Sequence, residues 1–427
     1  MTPEVKERFE QIRHGNVPEG YKKSLKGIIP KHWEVVRLDS VATGFDYGMN
    51  APAVDYDGAN RYIRITDIDE ESRKYISEKC VSPGDMLDER YLVLPNDILF
   101  ARTGASTGKT YLYDCSDGRL FFAGFLIRIH VMNNTDARFV FYFTQSDEYK
   151  RWLDVMSVRS GQPGINAQEF AAYRIMLPST AEQIKIANIL SAQDKIIELK
   201  MKQISEKQRQ KKYLMQQLLT GKKRLPGFNG EWQSCRLHQI AKRIRRKNTV
   251  GNENVLTISA QYGLINQSEF FNKEIASEDK SNYYLLQRND FAYNKSYSSG
   301  YPFGAIKRLT RYDIGIVSPL YICFEIVGEN VYLEYMEQYF EAGLMNREIQ
   351  AFAQEGARNH GLLNIAVDDF FNSKIILPSL EEQQAIAAIL SAADKEIELL
   401  HQDLEQEKQK KKDLMQLLLT GIVRVNV

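Results

Sequence analysis

The chain has 427 residues, of which 43% are hydrophobic, and a formal net charge of +1 at pH 7. Such a length holds two or three domains with a sizeable core, and the near-zero charge excludes a uniformly basic nucleic-acid coat while leaving room for charge segregated by surface. No run reaches the roughly 18 unbroken apolar residues of a membrane span, and the opening MTPEVKERFEQIRHG lacks the apolar region of a signal peptide, so a cytoplasmic protein without a membrane partner is expected.

Residues 1–176 read as a first α+β domain. Short aromatic and β-branched runs separated by turns (RYIRIT, DILFAR, TYLYD, FLIRIHV) predict strands. ARFVFYFTQSDEYKRWLDVM predicts helix near the domain's end. Between two of the strands lies ARTGASTGKTYLYD. A phosphate-binding loop needs four residues between its glycines so that successive N–H groups curl around phosphate, and Gly104 and Gly108 enclose three. The stretch reads better as an exposed loop presenting Arg102, Thr103, Ser106, Thr107 and Lys109, residue types that hydrogen-bond base edges and phosphates. A second polar loop, SVRSGQPGIN, offers Arg159, Ser160 and Gln162 just before the next segment.

That segment, 177–222, predicts a long helix. Leu190, Ile197, Ile204, Lys211 and Leu218 fall seven apart, and Ile186 and Leu214 add a second row, the heptad pattern of a helix–helix seam. Ser179 followed by Glu182 has the spacing of a capping box, and Gly221 suits the position past the last turn. Gly and Pro in GKKRLPGFNGEW mark the link to a second domain, 223–376. It opens with the basic run KRIRRK (Lys242–Lys247) and repeats the strand pattern in VLTIS, YYLL, DFAYN and LYICFEIV, with helix in VYLEYMEQYFEAGLMNREIQAFA. YNKSYSSGYPFGAIKR takes the place of the first domain's polar loop and offers Asn294, Lys295, Ser296, Tyr297 and Ser299. QEGARNHGLLN offers Arg358, Asn359 and His360. Residues 377–427 hold a second long helix with Leu390, Ile397, Leu404, Lys411 and Leu418 in heptad register and Ile386, Leu400 and Leu414 beside them.

The second helix repeats the first. Leu177–Gly221 aligns with Leu377–Gly421 without a gap, and 25 of the 45 positions are identical. Residues 200–210 match nowhere, yet their number is kept, as a helical spacer requires when each residue adds about 1.5 Å. Two helices of about 40 residues, each roughly 60 Å long, most simply bury their seams against each other, and an antiparallel pair is favoured. Polar Lys207 and Glu407 in mid-seam could fix its register. The domains repeat more faintly: Trp33, Arg37, Leu38 and Ala42 correspond to Trp232, Arg236, Leu237 and Ala241, and PNDILFAR to RNDFAYNK. The fold class is α+β, two domains in pseudo-twofold repeat separated by two long helices forming an antiparallel coiled coil.

Chemistry is not evident. Cys80, Cys115, Cys235 and Cys323 are isolated, without a Cys-x-x-Cys pair, and the six histidines are scattered, so neither a disulfide framework nor a metal site is expected. No Asn-Pro or Asp-Pro dipeptide occurs, so the Asn/Asp-Pro-Pro-aromatic motif of adenine methyltransferases is missing and a self-sufficient methyltransferase-nuclease is disfavoured.

GIIPKHWEVVRLDSVA, LPSTAEQIKIANILSAQDKIIEL, LLTGKKRLPGFNGEW and the second LPSLEEQQAIAAIL resemble the specificity subunit of type I restriction-modification systems, in order along nearly the whole chain. The resemblance implies a non-catalytic subunit of a restriction and adenine-N6 methylation complex that defends against foreign DNA. Its two target recognition domains each read half of a split double-stranded DNA target, and its helices space the halves and dock two methyltransferase subunits. Two motor-nuclease subunits can join. The chain itself then needs no cofactor, while S-adenosylmethionine, ATP and magnesium belong to the partners. Because SGQPGIN is replaced by ARNHGLLN in the second domain, the target is expected to be asymmetric. A coiled-coil scaffold with two ligand-binding domains and no DNA role is the competing reading.

Overall fold

The computed structural model describes residues 2–158, 162–259, 262–270, 279–298, 300–355 and 363–426. The chain forms two compact units, one of residues 1–201 with 403–427 and the other of 202–402.

Each unit is built on the same four-stranded antiparallel sheet. In the first, the order across the sheet is Ala42–Tyr47, Leu126–Val131, Asp97–Ala101 and Thr110–Leu112. In the second it is Ala241–Arg243, Ile322–Ile326, Phe291–Asn294 and Ala305–Arg308. The runs DILFAR, TYLYD, FLIRIHV, DFAYN and LYICFEIV supply these strands; Asp97–Ala101 is buried along its whole length and so reads as a continuous apolar run, whereas Leu126–Val131 alternates buried apolar residues with half-buried Arg128 and His130. The turn into the central strand is the same in both units. Asn96 and Asn289 adopt φ of 70° and 77°, and Asp97 and Asp290 accept the backbone N–H three residues back, from Leu94 at 2.8 Å and Gln287 at 2.6 Å. Asn tolerates the left-handed region, and a short carboxylate folds back on its own turn.

The faint Trp–Arg–Leu–Ala correspondence also marks equivalent structure. Glu34–Arg37 pairs antiparallel with Arg174–Leu177, and Gln233–Arg236 with Lys374–Leu377. The regions read as terminal helices each break in two. Ala137–Phe143 is separated from Asp147–Met156, where the Ser146 hydroxyl caps the second helix by accepting from Tyr149 N at 3.2 Å. Leu333–Glu341 is separated from Asn346–Phe352 by a turn in which Gly343 has φ 66°.

The long helices span Thr180–Leu218 and Leu380–Leu419. Within the first unit, Lys200 pairs with Asp403, Gln193 donates to Glu407 at 2.6 Å, and Lys411 meets Asp194 at 2.6 Å. Within the second, Lys207 meets Glu396 at 2.7 Å and Lys211 meets Asp394 at 2.5 Å. In both units numbers rise along one helix as they fall along the other, so the helices run antiparallel. Lys207 and Glu407 thus find Glu396 and Gln193 as partners, and the heptad lysines Lys211 and Lys411 enter ion pairs.

The predicted seam has two parts. Ile204 and Leu404 are buried and Ile197 and Ile397 half-buried along the middle of the helices. At the helix ends the same rows enter the domain cores. Leu190 and Leu418 join Trp33, Phe139 and Ile175, with Leu414 packed against that cluster. Leu218 and Leu390 join Phe291, Tyr335 and Ile375, with Leu214 packed against it. Half of the heptad pattern therefore records helix–domain burial rather than helix–helix burial.

Glu182 and Glu382 do not complete a capping box. Ser179 and Ser379 cap their helices weakly, accepting from Glu182 N and Glu382 N at 3.4 Å. The carboxylates instead accept from the indoles, Trp33 to Glu182 at 3.0 Å and Trp232 to Glu382 at 3.2 Å. Each also takes a two-point contact from an arginine, Arg424 to Glu182 at 2.6 and 3.0 Å and Arg224 to Glu382 at 2.7 Å twice. The neighbouring glutamines bind the preceding domain. Gln183 accepts from Asp136 N and Gln383 from Tyr332 N, both at 2.9 Å, while their amides donate to Pro178 O and Pro378 O. Buried carboxylate and amide groups must have their hydrogen bonds met, which explains why Glu-Gln stands unchanged in both copies. Gly221 and Gly421 end the helices with φ of 68° and 70°.

Candidate nucleic-acid interface

The loop of residues 102–108 connects the strands Asp97–Ala101 and Thr110–Leu112. Gly108 N donates to Ala101 O at 2.7 Å and closes the hairpin, and the Thr107 hydroxyl ties to Gly104 O at 2.7 Å. Gly108 has φ 82°, and a β-carbon there would lie 2.3 Å from Leu153. A strand, rather than a helix, follows Lys109, so the architecture of a phosphate-binding loop is absent here.

The second polar loop folds back onto the first. Gly104 N donates to Pro163 O at 3.0 Å, Ile165 N to Arg102 O at 2.9 Å, and Thr103 bridges Gly164. Two segments about 60 positions apart thus form one surface carrying Arg102, Thr103, Ser106, Thr107 and the exposed Gln162. Arg159 and Ser160 lie outside the described residues. Lys109 differs from expectation: it is only 8% exposed, and its ammonium lies 3.2 Å from Ile68 O and 2.6 Å from the Glu70 carboxylate. It braces the loop's base rather than being presented by it.

The second domain has the corresponding arrangement. The loop after Asn294 returns at Ala305, and Lys295 O accepts from Leu363 N at 3.1 Å, joining it to the segment before the second long helix. Asn294 Oδ1 accepts from Ser296 N at 3.1 Å, and Tyr297 is exposed. Lys295 is half-buried, and burial lowers its ammonium pKa. Gly304, at φ 78°, would place a β-carbon 2.2 Å from Asn294 O, so this pinch in the hairpin requires glycine. Ser299, Arg358, Asn359 and His360 lie outside the described residues.

The basic run KRIRRK is partly structural. Arg246 holds the buried Asp290, whose own carboxyl is pushed upward by burial, and the Lys247 ammonium sits 4.4 Å from the Tyr284 ring centre. Lys242 and Arg245 remain exposed. A groove of about 550 Å³ in the first unit was not legible in the sequence: Tyr47, Asn50, Arg64, Thr66 and Phe125 line it together with Arg102. In its wall Gly48 lets the backbone pass close to Ala123, whose carbonyl oxygen would lie 2.2 Å from a β-carbon at Gly48. The signal was a single glycine in YGMN, indistinguishable in sequence from any turn glycine.

Among the described residues, no cluster of three or more potential metal ligands occurs, and no helix is long and apolar enough to cross a membrane. Cys80, Cys115, Cys235 and Cys323 are all free thiols, and burial pushes Cys323 up to about 12.

A duplicated sheet with paired polar loops on long antiparallel helices defines a class of modular binding protein. A family model described as the type I restriction modification DNA specificity domain matches residues 30–208 and again 229–408. The chain belongs to that family and is a specificity subunit, which gives a type I restriction-modification complex its DNA target and is not itself an enzyme. Two curated relatives from Methanocaldococcus jannaschii match nearly end to end. The type I restriction enzyme MjaVIII specificity subunit is 25% identical over 94% of this chain and 96% of its own length. The putative type I restriction enzyme MjaX specificity subunit is 26% identical over 95% and 97%. Solved structures agree in fold. One chain, from work on complex assembly and conformational transition of the type I R-M system, has 17% identity, covers 92% of this chain and 99% of that one, and gives a TM-score of 0.55. The type I S subunit from M. genitalium has 12% identity, coverage of 92% and 96%, and a TM-score of 0.53.

Proposed function

We propose that this subunit reads a bipartite, asymmetric double-stranded DNA target, with residues 1–176 and 223–376 each recognising one half. The observation that carries this reading is the duplicated pair of joined loops with unlike side chains. One surface offers Arg102, Thr103, Ser106, Thr107 and Gln162, and the other Asn294, Lys295, Ser296 and Tyr297. Arg and Lys pair with guanine edges, Asn and Gln with adenine, so unlike loops read unlike half-sites. The long helices then fix the spacing of the halves, since a helix holds its length while its sequence varies.

The repeat also favours two copies of one partner. Ile189 and Ile389 are 39% and 37% exposed, and Leu199 and Leu399 are 54% and 53% exposed. The same apolar positions are therefore offered twice, as two identical methyltransferase subunits would require. Those subunits would carry S-adenosylmethionine, and up to two motor-nuclease subunits would bring ATP and magnesium, all in the cytoplasm. Partners that share the phosphate contacts account for a chain of near-zero charge, so the isolated subunit should bind DNA weakly.

The test is a methylation map. The chain is co-expressed with its methyltransferase subunit in a methylation-free host, and modified adenines are located by sequencing. Two short unlike halves around a fixed undefined spacer are expected. A soluble complex that methylates no such motif, or only a palindromic one, would overturn the reading.

A further inference from the structure

We propose that Arg102, held against Tyr47, reads a guanine in the half-site of the first domain. The inference rests on the reading of that domain as a half-site reader and adds the base and the residue.

Two guanidinium groups line the first unit's groove, and they are not equivalent. Arg64 is consumed internally: its Nε and one terminal nitrogen donate to the two Asp67 carboxylate oxygens at 2.8 and 2.9 Å. Arg102 makes no side-chain hydrogen bond to any described residue. Its Nε is buried without an acceptor, so the terminal amino groups are the donors left for a ligand. The guanidinium carbon lies 4.8 Å from the centre of the Tyr47 ring, which restricts the plane without using its donors.

The backbone of Arg102 is fixed on both sides. Its N–H donates to Phe125 O at 3.0 Å and its carbonyl accepts from Ile165 N at 2.9 Å. The side chain therefore starts from a clamped point and reaches into the groove as a planar donor fork. Guanine presents O6 and N7 side by side in the major groove, the acceptor pair that matches this fork, whereas adenine replaces one acceptor with a donor. With Lys109 taken up by Ile68 O and Glu70, Arg102 is the cation this loop has available. The buried Nε stays out of reach, and the two terminal amino groups, which no described acceptor engages, are the pair a base edge would meet.

The experiment uses the chain in complex with its methyltransferase subunit and compares methylation motifs of the wild type, Arg102→Ala and Arg102→Gln. The expected result is a guanine in one half whose discrimination falls roughly 5- to 150-fold in Arg102→Ala. Arg102→Gln should move that position toward adenine, and the other half should keep its bases in both variants. Tyr47→Leu should weaken discrimination at the same position without changing the base. A bipartite motif that is identical in wild type and both Arg102 variants would overturn this assignment and leave the specificity reading intact. Loss of every position of one half in both variants would also overturn it, because Arg102 would then support the domain rather than one base. A wild-type complex without a bipartite motif would sink both readings.

Discussion

The two units are most alike where the long helices join the domains and least alike at the loop tips. At the joint, Trp33–Glu182–Arg424 and Trp232–Glu382–Arg224 make the same contacts with closely matching distances. Away from the joint the units diverge. Arg61–Ile63 pairs in parallel with Leu120–Phe122, whereas Tyr284–Gln287 pairs antiparallel with Ile314–Val317. The buried Asp97 takes His130 at 2.8 Å, whereas Asp290 takes Arg246. A buried carboxylate allows few substitutions around it, because losing any partner leaves charge unpaired. A loop at the surface carries no such penalty, so its residues are free to change.

The joint also shows how one chain makes two equivalent ends. In the second unit Arg224 comes from the link between the helix and the next domain. In the first unit Arg424, from the residues just after the second long helix, takes that place. Residues near the start of the chain secure this tail: Tyr21 donates to Gly421 O at 2.7 Å and Arg8 to Ile422 O at 2.9 Å.

The sharpest way to break the comparison is to remove the shared carboxylates. Glu182→Ala and Glu382→Ala each leave an arginine and an indole N–H without their acceptor, and each should cost about 3 kcal/mol. Urea unfolding followed by fluorescence would measure this, and clearly unequal losses would show that the joints are not equivalent. Removing the arginines is the next step down. Arg224→Ala and a chain ending at Ile422 should lower the unfolding midpoint by similar amounts, both less than the glutamate variants. A neutral truncation would show that the tail does not play the link's part. At the loops, Asn294→Ala should cost no more than about 1 kcal/mol, for the lost bond from Ser296 N, and relax one position in the second half-site by about tenfold, read from the methylation motif. Effects in both halves would mean that the domains do not read independently. The smallest effects belong to the helix pairs. Lys211→Met and Lys411→Met each lose a partly buried ion pair, with Asp394 and Asp194. Each should change stability by no more than about 1 kcal/mol, less at high salt, in a denaturation series at two ionic strengths.

Much of this architecture was legible in the sequence because duplication labels what a single copy leaves ambiguous. The gapless repeat placed both long helices, and the Trp–Arg–Leu–Ala echo marked equivalent segments, which the structure shows as strands. The position of the polar loops was legible too, since Gly and small polar residues between β-rich runs mark turns wherever they occur. Their assembly was not. Arg102 and Pro163 come together through backbone hydrogen bonds, which leave no side-chain signature. Lys109 looks in sequence like its neighbours Ser106 and Thr107, yet it turns inward, because Ile68 O and Glu70 are brought beneath it from 40 positions away.

By itself the sequence determined the periodic and repeated features: helix length, heptad rows, several of the runs that become strands and the existence of two unlike domains. These depend on local spacing and on the identity of apolar residues, which are read along the chain. Only the tertiary structure decided which partner each polar group takes. It sent Glu182 to an indole rather than to a cap, Lys211 to an aspartate across the helix pair, and left Arg102 with free donors above a groove. Pairing of buried polar groups depends on distances between segments far apart in the chain, and that information appears only once the chain has folded.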